Sequence, residues 1–161
     1  MKWHPDLTVA AIVERDGRFL LVEERINGAR VLNQPAGHVE DGEALLAAVC
    51  RETREETAWV FTPEWLLGVY FWRNPRTRRT TVRFAFAGGV DGHDATQALD
   101  TPVIGTHWLT ASEIRAQEAA LYAHHTLPIS AQRQFARPRL EALVALQPPG
   151  LGVEHGDHAL E

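Results

Sequence analysis

Gly37-His-Val-Glu-Asp-Gly-Glu43, followed after seven residues by Arg51-Glu52-Thr-Arg-Glu55-Glu56, is the stretch that decides how this chain is read. From Glu43 to Thr57 there is no Pro or Gly, and Ala, Leu, Glu and Arg dominate. That composition predicts a helix of about four turns, entered from a glycine loop. On such a helix Glu52, Glu55 and Glu56 fall within an arc of about 100°, and Glu56 shares its side with Leu45, Val49 and the Thr53 methyl. The carboxylates therefore lean toward the core side.

Like charges at i, i+3 and i+4 destabilise a bare helix, and partial burial adds a desolvation cost or raises their pKa values. Something cationic has to compensate. Arg51 can meet one carboxylate, Glu55 at i+4 or a residue across the loop, which leaves negative charge in excess. A divalent metal would restore the balance, and all-oxygen ligation without thiolate favours Mg²⁺ or Mn²⁺ over zinc. Such ions keep waters and contact substrate phosphates, so the expected ligand is a small phosphorylated molecule. An arbitrary acidic helix is ordinarily a solvated, charge-rich face; here the spacing argues against that.

The order of residues resembles the Nudix box. That pattern is a glycine, five residues, Glu, seven residues, Arg-Glu, an apolar position, any residue, Glu-Glu, any residue, Gly and a last apolar position. The departures are Thr53 at the first apolar position, Ala58 in place of the closing glycine and Trp59 at the last position; none touches a carboxylate. Ala58 costs some ease of turning out of the helix if a positive φ is needed there. The resemblance implies an α/β fold, the Nudix α/β/α sandwich with a mixed β-sheet. It also implies metals held by the Ala36 carbonyl and by Glu52, Glu55 and Glu56, with Arg51 orienting these glutamates and Gly37 and Glu43 supporting the loop. The implied reaction is attack of water, activated by the metal, on a phosphorus of a diphosphate-linked substrate. Catalytic roles fall on Arg51, Glu52, Glu55 and Glu56. The general base stays open among Glu52, Glu55 and the later carboxylates Asp91, Asp94, Asp100 and Glu113.

Outward from the box, Leu7–Val13 and Arg18–Glu23 read as strands joined through Asp16-Gly17, a strong hairpin signal. Asn27-Gly28 marks a further turn, and Asn33-Gln-Pro-Ala-Gly-His38 reads as a loop because Pro35 and Gly37 break regular structure. Glu64–Trp72 and Thr80–Ala87 are expected to form a second hairpin, then a loop over 88–101 and a last strand, Val103–Leu109. Thr110-Ala-Ser-Glu113 has capping-box spacing and should open a short helix. Ser130–Leu146 looks helical, with Pro138 kinking or splitting it.

The chain has 161 residues, 45% of them hydrophobic and 23% charged, which suits one folded domain. That domain is expected over 1–146, with a flexible tail over 147–161 rich in Pro and Gly. The net charge of −5 gives no field for gathering DNA. The single Cys50 excludes an intramolecular disulfide framework and suits the reducing cytoplasm. The apolar stretch Leu7–Val13 is cut short by Glu14, Arg15 and Asp16, so no signal peptide and no membrane partner is expected.

Val22-Glu-Glu-Arg-Ile-Asn-Gly28 and Asn33–His38 also resemble the bacterial NudJ-type phosphatases, which implies Mg²⁺-dependent release of phosphate from nucleoside di- and triphosphates or hydroxymethylpyrimidine diphosphate. Gln34 and His38 are candidate phosphate donors. Tyr70 and Trp72, on one face of their strand, are candidates for stacking on a base or pyrimidine. The arginines Arg73, Arg76, Arg78, Arg79 and Arg83 raise the alternative of RNA 5′-end pyrophosphohydrolysis, against which the net charge counts. Nucleotide-sugar pyrophosphatase and a non-catalytic ligand-binding module of the same fold complete the alternatives. Monomer and homodimer are both compatible with the sequence.

Overall fold

The computed structural model describes residues 3–26, 28–74 and 77–124. Its elements run β1 (Asp6–Arg15), β2 (Arg18–Ile26), β3 (Ala29–Asn33), β4 (Ala36–His38), α1 (Leu45–Thr57), β5 (Val60–Arg73), β6 (Thr80–Asp91), β7 (Val103–Thr110) and α2 (Ala111–His124). Asp16 and Gly17 both take positive φ, 52° and 74°, as a tight hairpin turn requires, and Arg15 pairs with Arg18. Beyond Glu14 and Phe19 the two strands part. β1 goes on to pair with β6 in parallel and with β4 antiparallel, while β2 pairs antiparallel with β3 and β7. The sheet is therefore mixed, and its ordering around the parting strands is what makes a wedge at β4.

Two cores lie on opposite sides of this sheet. Val9, Ala11, Val13 and Leu20 pack with Ala48 and Val49 of α1 and with Phe61 and Phe86. Ile12, Phe19 and Leu21 pack with Ala111 and Ile114 of α2. The unbroken buried run Thr8–Val13 follows from this layering, since a central strand covered on both faces has no solvent side to alternate with. The architecture is the expected α/β/α sandwich.

Several local expectations change. Ala36–His38, read as loop, is a short strand: Pro35, which has no N–H to give, offers its carbonyl to Ala11 N–H at 2.8 Å, and the next residues continue the ladder. The helix begins at Leu45, not Glu43, because Glu43 is held in the preceding turn with Glu40 through backbone and side-chain bonds of 3.1 Å. β5 starts at Val60 and runs through Pro63, where the register with β6 shifts, as an outer strand permits. β6 extends to Asp91, so Gly88–Asp91 is strand rather than loop. Gly88 is there because a Cβ would lie 2.0 Å from the Thr62 carbonyl oxygen of β5. The Thr110–Glu113 capping box forms reciprocally, with Glu113 Oε2 accepting from Thr110 N–H at 2.7 Å and Thr110 Oγ1 from Glu113 N–H at 3.2 Å. The helical reading of Ser130–Leu146 and the tail over 147–161 lie outside the described residues.

Leu20 is 1% exposed within the α1-side core. Leu20→Ala should cost about 2–5 kcal/mol with the fold retained, measured as a shift of the urea unfolding midpoint at unchanged slope.

Candidate active site

β4 sets the site through its alternation. Pro35 and Val39 bond to β1, and Gly37 pairs with Val9, so the odd-numbered residues turn their backbone groups toward β1. Ala36 and His38 turn theirs to the outer edge, against which α1 lies. Ala36 N–H donates to Glu56 Oε2 at 2.8 Å, and the His38 carbonyl accepts from Arg51 Nη2 at 3.0 Å. The Ala36 carbonyl belongs to that same edge. Between them Gly37 admits the helix: a Cβ there would lie 2.1 Å from the Glu52 carboxyl.

Arg51 holds more than the one carboxylate expected of it. Its Nε and Nη2 grip both oxygens of Glu43 at 2.8 and 2.9 Å, and Nη1 reaches Glu52 at 2.9 Å and Glu55 at 3.1 Å. The Arg51 bonds, then the Glu40 backbone, hold the Glu43 carboxyl down at about 2. Glu52 is raised, burial outweighing its bond to Arg51. Glu56 is 8% exposed and pushed up to about 8 by burial, with the charges of Glu24, Glu52 and Asp100 adding to the shift. The Ala36 N–H opposes that shift without reversing it.

A buried carboxylate amid three other acids, served by one guanidinium already shared among Glu43, Glu52 and Glu55, is a donor set that fits a hard divalent cation. Carboxylate and carbonyl oxygens are the donors at hand, and no thiolate is among them. Among the described residues, no three acidic, His or Cys side chains already converge as an ion cage. The reason is visible in the contacts: Arg51 draws Glu52 and Glu55 to itself.

The remaining sequence candidates divide by position. Gln34 is buried in the turn leading to Ala36. His38 is exposed at the end of β4, in a cross-strand row with Thr8, Arg83 and Tyr70. Tyr70 and Trp72 are half-buried and share the face away from α1, whereas Val69 pairs with Phe84, which packs against the α1-side core. They lie on β5, at the opposite end of the ladder from β4 and about 14 Å away by strand spacing. The fold does not bring them against the carboxylates.

Of the later carboxylates, Asp91 ends β6, Asp94 is bonded to Thr96 and paired with Arg54, and Glu113 caps α2 and meets Arg18. Two of them meet the end of the helix, Asp94 N–H donating to the Ala58 carbonyl and Asp100 N–H to that of Glu55, each at 3.0 Å, and it is Asp100 whose charge acts on Glu56. Sequence reasoning missed Glu24, which accepts a hydrogen bond from Asn33 and whose charge also acts on Glu56. Its alternation with buried Leu20 and Val22 on β2 was the available signal.

The site is thus a glutamate-bearing helix clasped to a strand edge in a mixed α/β/α sandwich. The NUDIX domain family matches residues 3–128, and the chain belongs to the Nudix hydrolase family. Phosphatase NudJ of Escherichia coli (strain K12) is 39% identical over 110 residues, covering 68% of this chain and 71% of that protein. Phosphatase NudJ of Shigella flexneri matches to the same extent. The solved structure of a NUDIX hydrolase from Nitrosomonas europaea is 39% identical, with a TM-score of 0.69 over 90% of this chain and 97% of that one. No described helix is long and apolar enough to cross a membrane.

Two outcomes follow from the packing at β4. Gly37→Ala forces Glu52 out of place and should weaken Mn²⁺ binding about tenfold or more by titration calorimetry. Without divalent ions, the stability associated with a protonated Glu56 is fully present below its ordinary value of 4.5 and is lost as pH rises through about 8. Thermal unfolding should then show Tm falling by on the order of 5 °C between about pH 5 and pH 9, a slope that Glu56→Gln removes.

Proposed function

We propose that this protein is a Mg²⁺-dependent phosphatase that hydrolyses a phosphoanhydride bond of nucleoside di- and triphosphates or of hydroxymethylpyrimidine diphosphate and releases orthophosphate. The observation that carries the metal dependence is Glu56, buried on the β4 edge among Glu24, Glu52 and Asp100 with one N–H from Ala36 as its bonded donor. The substrate class rests on the likeness to proteins named Phosphatase NudJ. Mn²⁺ suits the same oxygen donors.

The ion would be held by the Ala36 carbonyl, Glu52, Glu55 and Glu56, and when bound it lowers the pKa of the attacking water and neutralises charge on the phosphoryl oxygens. The chain's own residues supply positioning. Arg51 fixes Glu52 and Glu55 relative to β4 through His38 and Glu43. Asp100, exposed and held to the helix by its backbone, is the proton acceptor we assign for the attacking water. Gln34, just before β4, and His38, at its end, are the donors we assign to the phosphates. Tyr70 and Trp72 take part in binding only for a substrate that extends across the sheet from β4 toward β5. The reducing cytoplasm remains the compartment that suits a lone thiol.

The test is a panel of nucleoside di- and triphosphates, hydroxymethylpyrimidine diphosphate, nucleotide sugars and triphosphorylated RNA with Mg²⁺, with phosphate and pyrophosphate measured separately. Orthophosphate from simple diphosphates is expected. Pyrophosphate release, or activity confined to sugars or RNA, would overturn the substrate class, and no Mg²⁺-dependent product would point to a binding module. Glu56→Gln should abolish turnover while far-ultraviolet circular dichroism stays that of the wild type. Asp100→Asn should lower kcat by about 10²–10⁴-fold.

A further inference from the structure

The segment between β6 and β7 carries Asp100, yet from His93 to Pro102 it has no helix or strand of its own. What holds it is the C-terminal turn of α1. The last carbonyls of a helix lack intrahelical donors, and here the loop supplies several. Asp94 N–H donates to the Ala58 carbonyl at 3.0 Å and Asp100 N–H to that of Glu55 at 3.0 Å. Between these points Arg54 and Gln97 bond reciprocally: Arg54 Nε donates to Gln97 Oε1 at 2.7 Å, and Gln97 Nε2 returns to the Arg54 carbonyl at 2.6 Å. Asp94 adds an ion pair to Arg54 at 3.7 Å.

Arg54 stands in the box sequence between Glu52 and Glu55, but its side chain turns to the loop while theirs turn to Arg51. We propose that Arg54 and Gln97 are a positioning pair that sets Asp100 over the carboxylate site. The pair closes a two-bond ring between side chain and helix backbone, so it fixes both distance and orientation of the loop. Without it, the segment keeps its backbone bonds to the helix end at Asp94 and Asp100 and to β2 at Pro102, and the conformational entropy of residues 95–99 works against holding Asp100 in one place. Neither residue touches the phosphates or the ion in this scheme; both act through Asp100.

The inference rests on the hydrolase reading, with Asp100 as proton acceptor, and the experiment separates the two. Arg54→Ala, Gln97→Ala and the double variant are made in the full chain. They are assayed with Mg²⁺ and a nucleoside diphosphate, titrated with Mn²⁺ alone, and examined for amide hydrogen exchange at Asp100. The expected result is a fall in kcat of about tenfold to a hundredfold with KM within about twofold, and Mn²⁺ affinity unchanged. Asp100 amide exchange should be faster, and the double variant no worse than the single ones. A purely structural cap would instead lower Tm without splitting kcat from KM. Wild-type kcat in both single variants, or a loss carried by KM or by Mn²⁺ affinity, overturns the positioning role. An inactive wild type, or an Asp100→Asn variant as active as the wild type, overturns the reading on which it rests, and the inference with it.

Discussion

The contact on which the rest of the site depends is the one between Glu56 and the Ala36 N–H. It draws a carboxylate into a region where burial and the charges of Glu24, Glu52 and Asp100 all disfavour its ionised form. One N–H does not compensate for that, which is why the group sits so far above an ordinary carboxylate. Arg51 cannot help, because its guanidinium is divided among Glu43, Glu52, Glu55 and the His38 carbonyl. The helix is thus built short of positive charge at one face. Such a local conflict is tolerated where a ligand resolves it, and a divalent ion has the charge and the oxygen preference to do so.

The sheet creates the place where this conflict is held. After the Asp16-Gly17 turn β1 and β2 stay together for only two residue pairs, then join different neighbours. The chain crosses the resulting wedge from β3 to β4 through Gln34 and Pro35. Helix α1 covers one face with Ala48 and Val49 while its glutamates reach the rim of β4. The same helix therefore supplies both core contacts and site from overlapping faces, Glu56 lying about 20° around the axis from Val49.

Much of this was legible in the sequence. Composition gives α1, turn residues and strand patterning give the two hairpins, and residue spacing gives the capping box at Thr110, because each rests on local chemistry. The box spacing gave Arg51, Glu52, Glu55 and Glu56 together. What was not legible depended on partners distant in sequence. β4 looks like a loop until β1 is beside it. Gly88 looks like a turn residue until β5 presses its Thr62 carbonyl against it. Pro63 looks like a strand breaker until β5 is known to be an outer strand. Whether position 58 needs a positive φ is open in the sequence, and Ala58 does adopt one, at φ 60°, without being the glycine that would do so freely. Among Asp91, Asp94, Asp100 and Glu113, it is Asp94 and Asp100 whose backbone N–H groups meet the helix end and Asp100 whose charge acts on Glu56, and no spacing rule carries either contact.

The glycine at 37 ties register to chemistry. β4 has only three residues, and a short edge strand is easily mispaired. A slip of one residue against β1 would exchange the roles of its odd and even positions, turning the backbone of Ala36 inward and bringing a side chain to the place where Glu52 now lies. At position 37 even a methyl group collides with that carboxyl. The pairing that seats α1 is thus the one in which the residue without a side chain faces Glu52, and that pairing leaves the N–H of Ala36 directed at Glu56. The close approach of helix to strand selects the register, and the register supplies the edge. Covering that edge with Arg51 and Glu56 also protects it from pairing with another chain. Building the site and closing the sheet at β4 are therefore a single structural act.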